Sequence, residues 1–187
     1  MKIKFNSPVV LTFAILSGVV LIMNLITNGM SNSLLFSIYK TRWSDPLQYI
    51  RLFTHVLGHS SVEHYANNMI LFLMVGPLLE EKYGGQKLLG IILLVAFVTG
   101  LVHILLPGNH ALLGASGICF AFIILASITG RNKENEIPLT LLIVALIYIG
   151  QQVYEGVFMR DNISQLTHIV GGIVGGIYGL QSNKQNN

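Results

Sequence analysis

An all-α bundle of six membrane-spanning helices is the fold this sequence predicts, and two observations predict it. The first is composition. Hydrophobic residues make up 52% of the 187 residues and charged residues 10%, against roughly 25% charged in a typical soluble protein. Eleven Lys/Arg and eight Asp/Glu are too few to cover a soluble globule of this size. The same balance excludes a disordered chain and a nucleic-acid-binding module, and a single cysteine excludes a disulfide-stapled domain. The second observation is spacing. Residues 5–39, 64–79, 88–130, 137–154 and 162–183 carry no charge. A hydrocarbon core of about 30 Å takes roughly 20 helical residues at about 1.5 Å each.

Those gaps hold spans at about 8–28, 62–80, 88–106, 113–130, 137–154 and 164–181, in a single membrane-embedded domain, 1–187. The gap 88–130 is too long for one span, and Pro107-Gly108-Asn109 divides it with a turn. The first span follows Lys2 and Lys4, as a signal peptide would. Its apolar run, Val9–Ile26, is longer than a signal core, and no small-x-small site follows, so an uncleaved helix is expected. The long segment 29–61 holds Tyr39, Trp43, Tyr49 and Phe53 beside Lys40, Arg42 and Arg51. Aromatics with cations suit a membrane–water interface, so part of this segment is expected in the outer leaflet. Glu80-Glu81-Lys82 and Arg131-Asn132-Lys133-Glu134 read as solvated inner loops.

Orientation follows Lys and Arg. With the N-terminus inside, inner segments hold seven (Lys2, Lys4, Lys82, Lys87, Arg131, Lys133, Lys184) and outer segments four (Lys40, Arg42, Arg51, Arg160). Both termini are therefore expected on the cytoplasmic side. The formal charge of +3 then reflects topology and calls for no acidic partner.

Polar residues inside spans are costly and mark function. His64 and Asn68, four apart, share one face at the start of the second span. Ser60 and Glu63 have capping-box spacing and would start that helix. The fourth span opens with Gly114-Ala115-Ser116-Gly117. A helix N-terminus stabilises developing negative charge, although a membrane serine often serves only packing. The sixth carries His168, then Gly171, Gly172, Gly175 and Gly179 within about 60° of the histidine's direction. That is a small-residue stripe for close helix contact. The second, fourth and sixth spans run the same way, from outside to inside, so His64, Asn68, Ser116 and His168 share one shallow depth. His168 lies roughly 7–8 Å into its span. Serine, histidine and amide-type donors at one level suit acyl transfer. No aspartate is placed to orient the histidine, since Asp45 and Asp161 fall in outer loops, so the unit is a dyad.

The ordered set His-x-x-x-Asn, Gly-x-Ser-Gly and His-x-x-Gly, in the second, fourth and sixth spans, resembles the rhomboid family of intramembrane serine proteases. The likeness covers roughly 48–181 and includes Arg51-Leu52-Phe53-Thr54-His55-Val56-Leu57-Gly58-His59. It implies a rhomboid-like bundle of the minimal six-helix type. It implies Ser116 as nucleophile and His168 as general base. His64 and Asn68, with the Ser116 N–H, would form the oxyanion hole. Gly114 and Gly117 would shape the turn at the serine, and Gly171 and Gly175 would let the fourth and sixth spans touch. The sequence departs from many members at three positions. Phe120 stands for a tyrosine that stacks on the histidine, Ile50 for a tryptophan and Thr167 for an alanine. The resemblance also makes the fifth span, beside loop 151–163, a candidate lateral gate. His55 and His59 are expected to brace the outer loop or the site, and His103 and His110 to flank the Pro107 turn at the interface.

The reading is an intramembrane serine endopeptidase that cuts other membrane proteins in or next to a transmembrane segment, near the outer face. Its expected partners are transmembrane substrates and the lipid bilayer, in a bacterial plasma membrane. No metal, nucleotide, organic cofactor or nucleic acid is expected. The alternative is a non-proteolytic binder of the same fold, which would have lost a dyad residue. A metal transporter using His55, His59 and His64 would need a carboxylate-lined path, and apart from Glu63 at one helix start the spans have no Asp or Glu in their interiors.

Overall fold

The computed structural model describes residues 5–108, 110–129 and 162–184, with scattered helical positions between 139 and 154. Six α-helices are described: α1 (Pro8–Ile26), α2 (Pro46–Thr54), α3 (Val62–Tyr83), α4 (Gly85–Leu105), α5 (Ser116–Thr129) and α6 (Asn162–Lys184). A π-helical turn, Asn32–Phe36, precedes α2, and a 3₁₀ turn, His55–Leu57, follows it. The one extended pairing among the described residues is an antiparallel bridge between Ile38 and Leu112.

Two of the expected spans, α1 and α4, are helices long and apolar enough to cross a bilayer. α3 is as long but carries Glu63 at its start and Glu80, Glu81 and Lys82 at its end. The apolar runs of α5 and α6, Ser116–Ser127 and His168–Tyr178, are shorter. The fifth expected span, save for those scattered positions, and the gate assigned to it lie outside the described residues, as does Arg131–Glu134.

α5 is the axis of the molecule. Ile118, Cys119, Ala121, Phe122 and Leu125 are fully buried. Phe72 of α3 lies between Phe13 of α1 and Phe122 of α5, with ring centroids 4.6 and 5.1 Å apart. The outward faces are apolar too: Ile15 and Ile22 on α1, Ile70 and Leu78 on α3, and Leu93 on α4 are exposed. Helices apolar on both faces belong in lipid.

The expected inner loop 81–87 is largely helical. α3 runs on through Glu80-Glu81-Lys82, and Gly84 alone separates it from α4. Gly84 has φ +80, a conformation open to glycine and strained for other residues, so the reversal needs no longer connection. Glu80 is buried rather than solvated. Its carboxylate accepts the N–H groups of Val9 and Val10, each at 3.0 Å. These belong to the first turn of α1, where N–H groups have no partner within the helix and the dipole favours an anion. Gly76 makes room for this contact, because a Cβ there would fall 2.8 Å from Val10.

Segment 29–61 packs as a wedge. Asp45 caps α2 by accepting the Leu47 N–H at 3.0 Å. Arg51 is buried rather than interfacial. Its Nε donates to the Leu34 carbonyl at 2.8 Å, it pairs with Asp45 at 3.3 Å, and it lies 4.5 Å over the Tyr39 ring. Trp43, Tyr49 and Phe53 are exposed.

Removing the Glu80 carboxylate leaves two helix-end N–H groups unpaired. Glu80→Ala is expected to lower unfolding stability by about 2 kcal/mol, read from denaturation in detergent, with Glu80→Gln in between.

Candidate active site

Ser116 and His168 meet. The serine is the first residue of α5 and the histidine sits in α6, 52 positions later, with Nε2 2.6 Å from Oγ. His168 is buried and Ser116 half-buried. The Cys119 N–H donates to the Ala115 carbonyl at 2.9 Å, so α5 starts at the serine itself. The Phe120 ring, one turn on, stacks on His168 with centroids 6.2 Å apart and planes at 20°.

Glycine contacts bring the two helices this close. A Cβ on Gly171 would lie 2.3 Å from the Gly117 carbonyl oxygen, and one on Gly175 would lie 2.4 Å from that of Ala121. Both obstacles are backbone. A Cβ on Gly172, the other glycine of this turn, would lie 2.8 Å from Phe120 Cδ1.

His64 and Asn68 of α3 converge on Gly114, two residues before the serine. Gly114 has φ +123, and where its Cβ would stand, His64 Nε2 is 2.8 Å away and Asn68 Nδ2 is 3.8 Å away. Asn68 Nδ2 donates to the His64 carbonyl at 3.1 Å, which settles the orientation of the amide. The Cys119 thiol donates to the Asn68 carbonyl at 3.4 Å and ties α3 to α5. The structure places Phe120 beside the Ser116–His168 pair, Gly171 and Gly175 against the backbone of Gly117 and Ala121, and His64 and Asn68 beside Gly114.

It also adds residues that spacing missed. The cap of α3 is Ser61, not Ser60. Ser61 Oγ accepts the His64 N–H at 3.0 Å, and its extended backbone, at φ −150 and ψ 165, is that of a cap. Ser60 Oγ lies 3.1 Å from His64 Nδ1 instead. The wedge grips the loop before Ser116. Ile38 and Leu112 exchange two hydrogen bonds at 2.8 Å, and the Gly114 N–H donates to the His55 carbonyl at 3.0 Å. His55 Nδ1 lies 3.0 Å from the Arg51 carbonyl and Nε2 lies 3.4 Å from Thr99 Oγ1. His103 is buried rather than interfacial, its Nε2 donating to the His110 carbonyl at 2.9 Å. Most of these contacts join segments distant in sequence or a side chain to backbone, and the Ser60–His64 pair, four residues apart, escaped because the spacing assigns Ser60 to the cap. Asp45 serves Arg51 and α2, and Asp161 lies outside the described residues. Among the described residues no group of three His, Cys, Asp or Glu side chains is arranged to hold a metal ion.

A serine and a histidine in contact between helices with apolar outer faces define a membrane-embedded helical protein built around a Ser–His pair. The rhomboid domain model matches residues 46–184, and the chain belongs to the rhomboid family. It is 28% identical over 153 residues to the rhomboid protease GlpG of Haemophilus influenzae, covering 80% of this chain and 76% of the relative. Against the rhomboid protease GlpG of Pectobacterium atrosepticum it is 28% identical, with 69% of this chain and 47% of the relative covered. Against the rhomboid protease GluP of Bacillus subtilis it is 27% identical, with 70% and 25% covered. The chain therefore spans three quarters of one relative and half or less of the other two. Family membership makes it an integral membrane protein of a protease family.

Two outcomes are expected. Gly171→Ala, against a backbone carbonyl, is expected to damage stability and the Ser116–His168 contact more than Gly172→Ala, whose obstacle is a ring that can turn. Thermal unfolding and labelling of the serine by a fluorophosphonate check this order. The second concerns pH. Burial pushes His55 and His59 down from 6.5 to about 4, so both fold neutral. The unfolded chain takes up these protons near 6.5 and the folded chain only near 4. Stability is then full above the upper value and falls as pH drops through that window, by up to about 3 kcal/mol per histidine. Unfolding in detergent between pH 7 and pH 4 is expected to show this slope, flatter in His55→Gln.

Proposed function

We propose that the protein is an intramembrane serine endopeptidase, hydrolysing peptide bonds in or next to transmembrane segments of other membrane proteins. The observation that carries this reading is the 2.6 Å contact between Ser116 Oγ and His168 Nε2. The names of the protease relatives support the same class.

In the proposed reaction Ser116 Oγ attacks the carbonyl carbon of the scissile peptide while His168 Nε2 takes the hydroxyl proton. The carbonyl oxygen gains negative charge beside Gly114. There His64 Nε2–H, Asn68 Nδ2–H and the Ser116 N–H serve as donors, the last at the positive end of α5. The intermediate collapses as His168 returns the proton to the leaving amine. Water, activated by the same histidine, then releases the acyl group from Ser116. Stacking on Phe120 holds the His168 ring.

The proposed setting is a six-span domain with both termini cytoplasmic and the site opening to the outer face. Hydrolysis below the lipid surface needs a polar path for water, and the outer ends of α3 and α5, where the polar residues gather, supply it. A substrate helix must unwind to present its carbonyl, so small or helix-breaking residues near the cut are expected.

The test is cleavage of a model transmembrane substrate in liposomes. Ser116→Ala and His168→Ala, folded as wild type, are each expected to lose at least about 10³-fold in kcat/KM. A fluorophosphonate is expected to label wild type and not Ser116→Ala. Equal cleavage by all three proteins would sink the assignment. A wild type that neither cleaves nor labels would favour the non-proteolytic binder.

A further inference from the structure

We infer that Ser60 is a positioning residue that fixes the tautomer of His64, keeping its ring proton on Nε2, where the oxyanion forms. The inference rests on the reaction proposed above. The hydroxyl and the backbone N–H of Ser60 both face the far nitrogen of the ring: Oγ is 3.1 Å from Nδ1 and the backbone N is 3.5 Å from it. A backbone N–H can only donate, so Nδ1 is the acceptor, and the hydroxyl donates to it as well. A neutral imidazole carries one N–H, which then resides on Nε2. That atom is the one lodged against Gly114, 2.8 Å from the place of its missing Cβ and beside Asn68 Nδ2.

The division of labour between two adjacent serines makes this possible. Ser61 Oγ takes the His64 backbone N–H and starts the helix. Ser60 is thereby left out of the cap, and its hydroxyl is available to the ring. The edge of His59, with centroids 5.0 Å apart and planes at 70°, limits how far the ring can turn. In the other tautomer Nε2 would present a lone pair to the developing anion and repel it. Ser60 itself is exposed at the mouth of the site, so replacing it does not open the core.

The test reads the tautomer directly. In the full-length protein in detergent, histidine ¹⁵N resonances, with His64 assigned by its absence in His64→Gln, are expected to show Nε2–H in wild type. Ser60→Ala, which keeps only the longer N–H contact, is expected to shift His64 toward the Nδ1–H form, and Ser60→Thr to restore it. On a model transmembrane substrate Ser60→Ala is expected to lower kcat by about 3- to 10-fold, the size of one hydrogen bond, with KM unchanged. In a His64→Ala background it is expected to cost nothing further. An unchanged tautomer in Ser60→Ala, or an equal loss with and without His64, overturns the inference. A wild type with no serine reactivity overturns the protease reading alone, because the tautomer is still measured.

Discussion

The approach of α5 to α6, backbone against backbone, is the constraint on which the site depends. Gly171 and Gly175 face the carbonyls of Gly117 and Ala121 with no side chain between. In lipid no hydrophobic force draws two helices together, and close packing of small residues must do so. At ordinary helix separations of about 8–10 Å, a histidine on α6 would stand off from a serine on α5. Removing two layers of side chains brings imidazole and hydroxyl within one hydrogen bond.

The opposite wall is held by other means. The loop before Ser116 is irregular, so its backbone groups need partners that no helix supplies. The wedge of segment 29–61 provides them through the Ile38–Leu112 bridge and the His55 carbonyl. Arg51, buried with Asp45 and Tyr39, stiffens the wedge from within. One side of the site is therefore set by helix packing and the other by loop hydrogen bonds. The two meet at Gly114, whose left-handed backbone leaves room for His64.

Much of this was legible in the sequence because a membrane restricts where polar residues go. Ser116, His168, His64 and Asn68 stood out as polar groups at a common depth, and the glycine stripe after His168 announced the close contact. The helices were readable from charge-free gaps for the same reason. What escaped were features without a period. Glu80 looked like a solvated charge because its partners, the N–H groups at the start of α1, are about 70 residues away. His103 sat near a turn and so read as interfacial, while its partner is the carbonyl across that turn. The cap shifts from Ser60 to its neighbour Ser61, a one-residue difference that a capping-box pattern does not resolve. The six-span count is an argument from gaps, and two described helices meet the length and hydropathy of a span by themselves.

The single-residue turn at Gly84 has a consequence for the order in which the molecule is built. α3 and α4 form a hairpin whose partners are neighbours along the chain. The entropy lost in closing a loop rises with the logarithm of its length, so that hairpin is the least costly pairing to reach. It already carries His64 and Asn68. Ser116 and His168, 52 residues apart, meet only when α6 has docked on α5. In the proposed reaction the oxyanion donors thus ride on a local unit, and the nucleophile gains its base only through a long-range contact. Under that proposal a chain still being threaded into the membrane would hold an inert hydroxyl, and reactivity would begin only once α6 has docked.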